Sequence, residues 1–198
     1  METPLKTKWT LWEHRSKGPE DDRWIDQFYE VASVESVENL WLLWGHYPKP
    51  SLLFAGSKTD EAPLLLKRGD RASRVLGLCF FKTPVPPETR ATNAKGEAFT
   101  GLRSILEIDT NFDDLKTYDQ MWENLVLTLV GEEVVFSSDL NGAWLANRTR
   151  KGFLTTSIRL RLELWWDSRL DEAQVNALKD TIVQAVGREE LRTGWRIR

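Results

Sequence analysis

A chain of 198 residues, 41% hydrophobic and 29% charged, is long enough for one domain with a substantial core and is ordinary for a soluble globular protein. A net charge of −3 argues against a general nucleic-acid coater, and a lone cysteine, Cys79, excludes a disulfide framework or a thiolate metal site. No apolar run approaches the roughly 20 residues needed to span a bilayer. The opening METPLKTKWT has no signal-peptide core, so the expected compartment is the cytoplasm, without membrane attachment.

In chain order, Lys8–His14 reads as a strand with large apolar residues on both faces. Arg15–Arg23 is a polar loop turning at Gly18-Pro19, and Trp24 ends it among Asp21, Asp22 and Asp26. Ser36 is the N-cap of a short helix whose apolar stripe is Val37, Leu40, Trp41 and Trp44, and His46–Pro50 stops it. Leu64–Lys67 and Val75–Lys82 are strands joined by a charged turn at Arg68–Arg74. Thr83–Gly101, rich in proline, threonine and glycine, is a long surface loop of the kind that often carries function. Leu102–Asp109 is a strand, and Asp113–Val130 a helix with Leu115, Tyr118, Trp122, Leu125 and Leu129 along one face. Trp144–Arg150 and Thr156–Trp166 are strands, and Asp171–Val186 is a helix with the stripe Val175, Leu178, Ile182 and Val186. Interspersed strands and helices, with no repeat and no linker, predict an α+β single domain over residues 1–198: an antiparallel sheet backed by helices.

Ser157–Trp166 carries the chemistry. Alternate strand residues share a face, so Ile158, Leu160, Leu162, Leu164 and Trp166 point to the core, while Arg159, Arg161, Glu163 and Trp165 point away. Trp144, Ala146, Arg148 and Arg150 likewise share one side, and pairing of the two strands gathers several guanidinium forks beside a large indole. Asn141–Leu162 holds no acid but does hold Arg148, Arg150, Lys151, Arg159 and Arg161; Glu107–Asp139 holds nine acids and one base, Lys116. A local anion site in an acidic protein fits that asymmetry. The plainer reading is a solvated face with ordinary cross-strand pairs, such as Glu163 with an arginine. Ten tryptophans exceed what one small core uses, which leaves some for stacking on a base.

The ordered motifs resemble the translation initiation factor 4E family. Pro4-Leu5 ahead of Trp9 and Trp12 is similar to its first strand, and Trp24 falls where that family keeps a cap-stacking tryptophan. Ser36–Trp41 is similar to its dorsal helix, and Met121-Trp122 through Gly131-Glu132 to its long helix. Asn141–Arg148 resembles the strand ending in a phosphate-binding arginine. Arg161 and Trp165 fall at a second phosphate-binding base and at a tryptophan touching the methyl group. The resemblance implies a curved antiparallel sheet with helices on its convex face and a ligand slot on its concave one. It implies a cytoplasmic protein that binds the 7-methylguanosine cap of mRNA, with no cofactor, no metal and no catalysis. Trp24 and Trp165 are then the guanine-binding residues, Arg148 and Arg161 the triphosphate-binding ones, and Arg150, Lys151 and Arg159 helpers for later nucleotides. By the same resemblance, Pro4, Val37, Trp41 and Leu127 receive an amphipathic helix from a scaffold of the initiation factor 4G type or a 4E-binding regulator, the chain alone being a monomer.

Three departures stand out. The second cap loop, where the family has a tryptophan followed by a glutamate, contains no tryptophan here. Glu88 is the candidate for the guanine edge and Arg90 for a flat stacking surface, although its charge opposes a cationic base. About 17 extra residues near Ser57–Cys79 find no counterpart in the resemblance, and Asn124 stands where the family has an acid contacting the partner. Methylation makes the guanine cationic, which favours indole faces; stacking contributes about 1–3 kcal/mol per base, so losing one face weakens binding by about tenfold or more. The variation resembles that among the multiple trypanosomatid members of the family. Against an enzyme stand the two histidines, His14 and His46, in structural segments, and the absence of a phosphate-cradling glycine loop or nucleophile motif. The stronger rival is a protein-interaction module of the same fold that has lost or weakened cap binding.

Overall fold

The strand β1, Pro4–Arg15, is longer at both ends than its aromatic centre alone suggests. In the computed structural model, which describes residues 2–16, 24–54, 65–68, 71–84, 87, 104–110, 114–132, 134, 138–148, 159–166 and 170–197, it is flanked by two antiparallel neighbours. On one side lies β2, Phe28–Ser36, with Trp9 opposite Val34; on the other lies β4, Arg71–Lys82, with Leu11 opposite Phe80. The short β3, Leu65–Arg68, pairs with the start of β4. The C-terminal part of the segment expected to be extra to the family lies in β4. Trp9 stacks on Phe80 with ring centroids 5.2 Å apart, anchoring a core that includes Leu11, Val34 and Leu78. Beside it a buried ion pair joins Glu13 and Arg15. The Tyr47 hydroxyl donates to Glu13 (3.0 Å) and Arg15 donates to Ser73 (3.0 Å), so the buried charges have the hydrogen bonds they require.

Ser36 caps α1, Val37–His46, by accepting from the Asn39 N–H at 3.2 Å. The helix start is also tied to the beginning of β1: the Val37 N–H donates to the Thr3 carbonyl (2.9 Å), and the Thr3 N–H donates to the Glu38 carboxylate (2.8 Å). That bond holds the Glu38 carboxyl below its ordinary pKa. Of the expected stripe only Leu40 is buried; Trp41 points outward. In this part of the chain the sequence reading misses the strand β2 and the helix α2, Pro50–Phe54; the segment read as a stop does end α1 at His46, and its last proline then opens α2.

The described residues fall into two compact units, Met1–Phe99, containing the elements above, and Thr100–Arg198. In the second, β5 (Ser104–Thr110), β6 (Leu140–Asn147), β7 (Leu160–Trp166) and the short β8 (Arg196–Ile197) run in the order β6-β7-β5-β8, each antiparallel to its neighbour. Helices α3, Leu115–Val130, and α4, Glu172–Val186, pack on each other. Tyr118, Trp122, Leu125 and Leu129 of α3 are buried, as are Val175, Leu178, Ile182 and Val186 of α4, so the α4 stripe stands as read and so does the α3 stripe apart from Leu115, whose side chain lies outside the described residues. Asp171 and Gln174 form a reciprocal capping box on α4, and Gly187, at φ 66°, ends it in the left-handed region that glycine tolerates. The architecture is α+β with antiparallel strands.

Candidate functional site

Strands β5, β6 and β7 bring one set of side chains into register. Trp144 lies opposite Glu163, Ala146 opposite Arg161, and Gly142 opposite Trp165. The pairing continues one step past β6, where the Arg148 N–H donates to the Arg159 carbonyl at 2.8 Å. Opposite residues of an antiparallel pair share a face, so Trp144, Arg148, Arg159, Arg161, Glu163 and Trp165 all occupy one side of the sheet. From β5 come Glu107, opposite Glu163, and Asp109, opposite Arg161.

This face is not solvated along its length. Trp165 and Glu163 are each 1% exposed, so the side of β7 expected to point away from the core is open only toward Arg161 and Arg159. Glu163 is the junction. Its Oε2 accepts from the Trp165 indole N–H at 3.1 Å, and its Oε1 lies 3.5 Å from Arg148 Nη2. Trp144 meets Trp165 edge-on at 6.2 Å, and the Arg148 guanidinium lies 5.7 Å from the centre of the Trp144 ring. One buried carboxylate thus orients both an indole and an arginine.

Arg161 is engaged more fully. Its Nε donates to Asp109 Oδ1 at 2.8 Å, its Nη1 to Glu107 Oε2 at 3.3 Å and its Nη2 to Asp109 Oδ2 at 3.4 Å. Arg196 of β8 reaches the same acids, with Nη2 2.6 Å from Asp109 Oδ2 and Nε 3.4 Å from Glu107 Oε1. The hydrogen bond from Arg161, and after it the one from Arg196, holds the Asp109 carboxyl below its ordinary value; the Asp109 bond raises Arg161 in turn. Arginines facing one another across a pair, as Arg148 and Arg159 do, repel unless an anion or carboxylate intervenes. The arrangement is suited chemically to a phosphate chain placed by Arg148, with Arg161 a donor already shared with two acids.

The other predicted residues divide clearly. Pro4, Val37 and Trp41 belong together in the first unit: Pro4 pairs with Ser36, Val37 is bonded to Thr3, and Trp41 follows one turn later. Trp41 is 49% exposed and its neighbour Leu42 62%. Leu127 is exposed on α3 in the second unit. Trp24 opens a short 3-10 turn, Trp24–Gln27, and its side chain lies outside the described residues, as do Glu88, Arg90, Arg150 and Lys151. Sequence reasoning missed Glu107, Asp109 and Arg196 as participants. A signal was present, because Glu107 and Asp109 alternate with Leu106 and Ile108 and so must face the polar side of β7. Among the described residues no group of three or more His, Cys, Asp or Glu side chains forms a candidate metal site.

Comparison with known proteins gives the same family from several directions. The profile of the family described as "Eukaryotic initiation factor 4E" matches residues 4–194. The chain is 25% identical over 182 residues to the wheat (Triticum aestivum) eukaryotic translation initiation factor NCBP, covering 90% of this chain and 62% of that one. It is 34% identical over 142 residues to the Dictyostelium discoideum eukaryotic translation initiation factor 4E, covering 70% and 45%. It therefore spans no more than about three-fifths of the length of these curated relatives. Among solved structures it resembles Ascaris suum eIF4E-3 in complex with an m7G cap (TM-score 0.68, 19% identity, 100% of this chain and 91% of that one). It also resembles schistosome eIF4E complexed with m7GpppA and 4E-BP (TM-score 0.66, 16% identity, 96% and 85%), and at these identities the likeness establishes the fold. With a family match that runs from the first strand past the last helix, on the fold those structures share, the chain belongs to the eukaryotic initiation factor 4E family.

Proposed function

We propose that the chain binds the 7-methylguanosine 5′ cap of mRNA and acts in translation initiation or its regulation in the cytoplasm, residues 1–198 working as one cap-binding domain. The observation that carries the reading is the single face of β6 and β7 on which Trp144, Arg148, Arg159, Arg161 and Trp165 stand in register. Arg148 is the principal triphosphate ligand: half-exposed, it is held by one long ion pair and a ring, and a phosphate offers its fork a better bidentate partner. Arg161 is the second, and Arg159, with Arg150 and Lys151, serves later nucleotides. Trp165 contributes its edge to the methyl group, Trp24 stacks on the cationic guanine, and Glu88 and Arg90 remain the candidates for the second cap loop. Pro4, Val37, Trp41 and Leu127 form the docking positions for a helix from a scaffold of the 4G type or a 4E-binding regulator.

A second reading has its own observation. Arg161 is tied to two acids and Trp165 is buried, as expected of an interaction module whose cap site has closed. Retention on immobilised 7-methylguanosine diphosphate, with a GTP wash, separates the two. The cap reading expects the wild type to be retained and eluted by free cap analogue, and Trp24→Ala to flow through with an unchanged melting temperature. A wild type that flows through establishes the interaction module instead; Trp24→Ala protein that is retained but melts earlier makes Trp24 a core residue.

A further inference from the structure

We propose that Arg196 is a positioning residue: by occupying the acids of β5, it keeps the terminal nitrogens of Arg161 weakly engaged and ready to turn to an anionic ligand. The inference rests on the phosphate-binding role given to Arg161 above. Strand β5 lies between two arginine-bearing strands, β7 on one side and β8 on the other. Two acids, Glu107 and Asp109, are shared by two arginines, and the sharing is unequal. At Asp109 Oδ2, Arg196 Nη2 holds the short contact, 2.6 Å, and Arg161 Nη2 the long one, 3.4 Å. Arg161 is left with one good bond, Nε to Oδ1 at 2.8 Å, while both of its terminal nitrogens sit at 3.3 Å or beyond. Those terminal nitrogens can donate together to a phosphate while Nε stays on Asp109.

Without Arg196, Oδ2 has no nearer claimant and the Arg161 fork closes onto Asp109 in the bidentate geometry that carboxylates favour. Two carboxylates then face one guanidinium, and an approaching phosphate meets both a tighter competitor and an extra negative charge. With Arg196 present, Arg161 can swing its terminal nitrogens to a phosphate while Arg196 still neutralises the acids. The side chains of Arg161, Asp109 and Arg196 are 21%, 46% and 54% exposed, so a ligand reaches the group without unfolding it.

The test measures the affinity of the whole chain for inorganic tripolyphosphate, 7-methyl-GTP and 7-methylguanosine at one fixed salt concentration. Arg196→Ala is expected to weaken both phosphate ligands by about fivefold and to leave 7-methylguanosine unchanged, while Arg196→Lys keeps most of the affinity. In an Asp109→Asn background, where the competitor is gone, Arg196→Ala should cost less than about twofold. An equal loss in both backgrounds means that Arg196 acts only as a distant positive charge, and it overturns the proposal, as does no loss in either. If the wild type binds tripolyphosphate but neither guanine ligand, the cap reading fails while the exchange is still decided on tripolyphosphate. If it binds none of the three, both fall.

Discussion

The outer side of α1 and the shared face of β5, β6 and β7 invert the usual placement of residues in opposite directions. On α1 a tryptophan and a leucine stand in solvent: Trp41 is half-exposed and Leu42 more so. On the sheet face a glutamate is withdrawn from water beside a buried tryptophan, and Glu107 is buried with it. Among the described residues of its own unit nothing covers the apolar exposure, and an exposed tryptophan of this kind is typical of an interface anchor. The buried charge is tolerated because arginines and an indole N–H satisfy it. One region turns apolar surface outward; the other is organised around internal partners. Two tryptophans of one chain should therefore respond to mutation in opposite ways.

Trp165→Ala should give the largest effect, a loss of about 4 kcal/mol in unfolding free energy, since it empties a packed site and leaves Glu163 without its indole donor. Trp41→Ala should stay within about 0.5 kcal/mol of wild type, yet abolish capture of a 4G-type or 4E-binding protein while leaving cap retention intact. Chemical denaturation of the two variants side by side checks this. Equal destabilisation breaks the comparison and makes Trp41 a core residue.

Arg148→Ala sharpens it further. Glu163 keeps its bond to Trp165, so stability should fall by only about 1 kcal/mol. The dependence of log affinity for 7-methyl-GTP on log salt should flatten by about one phosphate contact. A slope equal to that of wild type removes Arg148 from the phosphate site.

How much of this was legible varied with the range of the interactions. Helices α3 and α4 and the cap at Ser36 were read from the chain, because periodicity and capping are local. So was the shared face of β6 and β7, because strand alternation is local. β2 was hidden in the approach to the Ser36 cap: FYEVASVES mixes short polar and apolar residues on both faces, and only its pairing with β1 makes it a strand. The stripe on α1 was drawn too wide, since helical spacing groups Trp41 with Leu40 and only the position of β2 decides which one turns inward. The tethering of Arg161 escaped for a different reason: its partners lie 52 and 54 residues earlier in the chain, on β5. Arg196, 87 residues from Asp109, is more distant still.

Asp109→Asn gives the smallest effect. The folded carboxyl titrates below its ordinary value of 3.8 because Arg161, and then Arg196, donate to it. A depressed folded pKa stabilises the fold above the unfolded value and loses that contribution as pH falls through the folded one. The wild type should therefore lose slightly more stability than the variant below about pH 4. The difference is small because Asp109 is half-exposed and water screens the pair. Thermal melts at pH 3 and pH 6 measure it, and a steeper acid loss in the variant contradicts the assignment.

The central claim, that this chain recognises a methylated cap through stacking and arginine contacts, is tested most directly by titrating its tryptophan fluorescence with 7-methyl-GTP and with GTP under identical conditions. Saturable quenching by 7-methyl-GTP at concentrations where GTP has little effect is the predicted result, because only the methylated base is cationic and attracted to an indole face. Equal quenching by both nucleotides, or by neither, contradicts it.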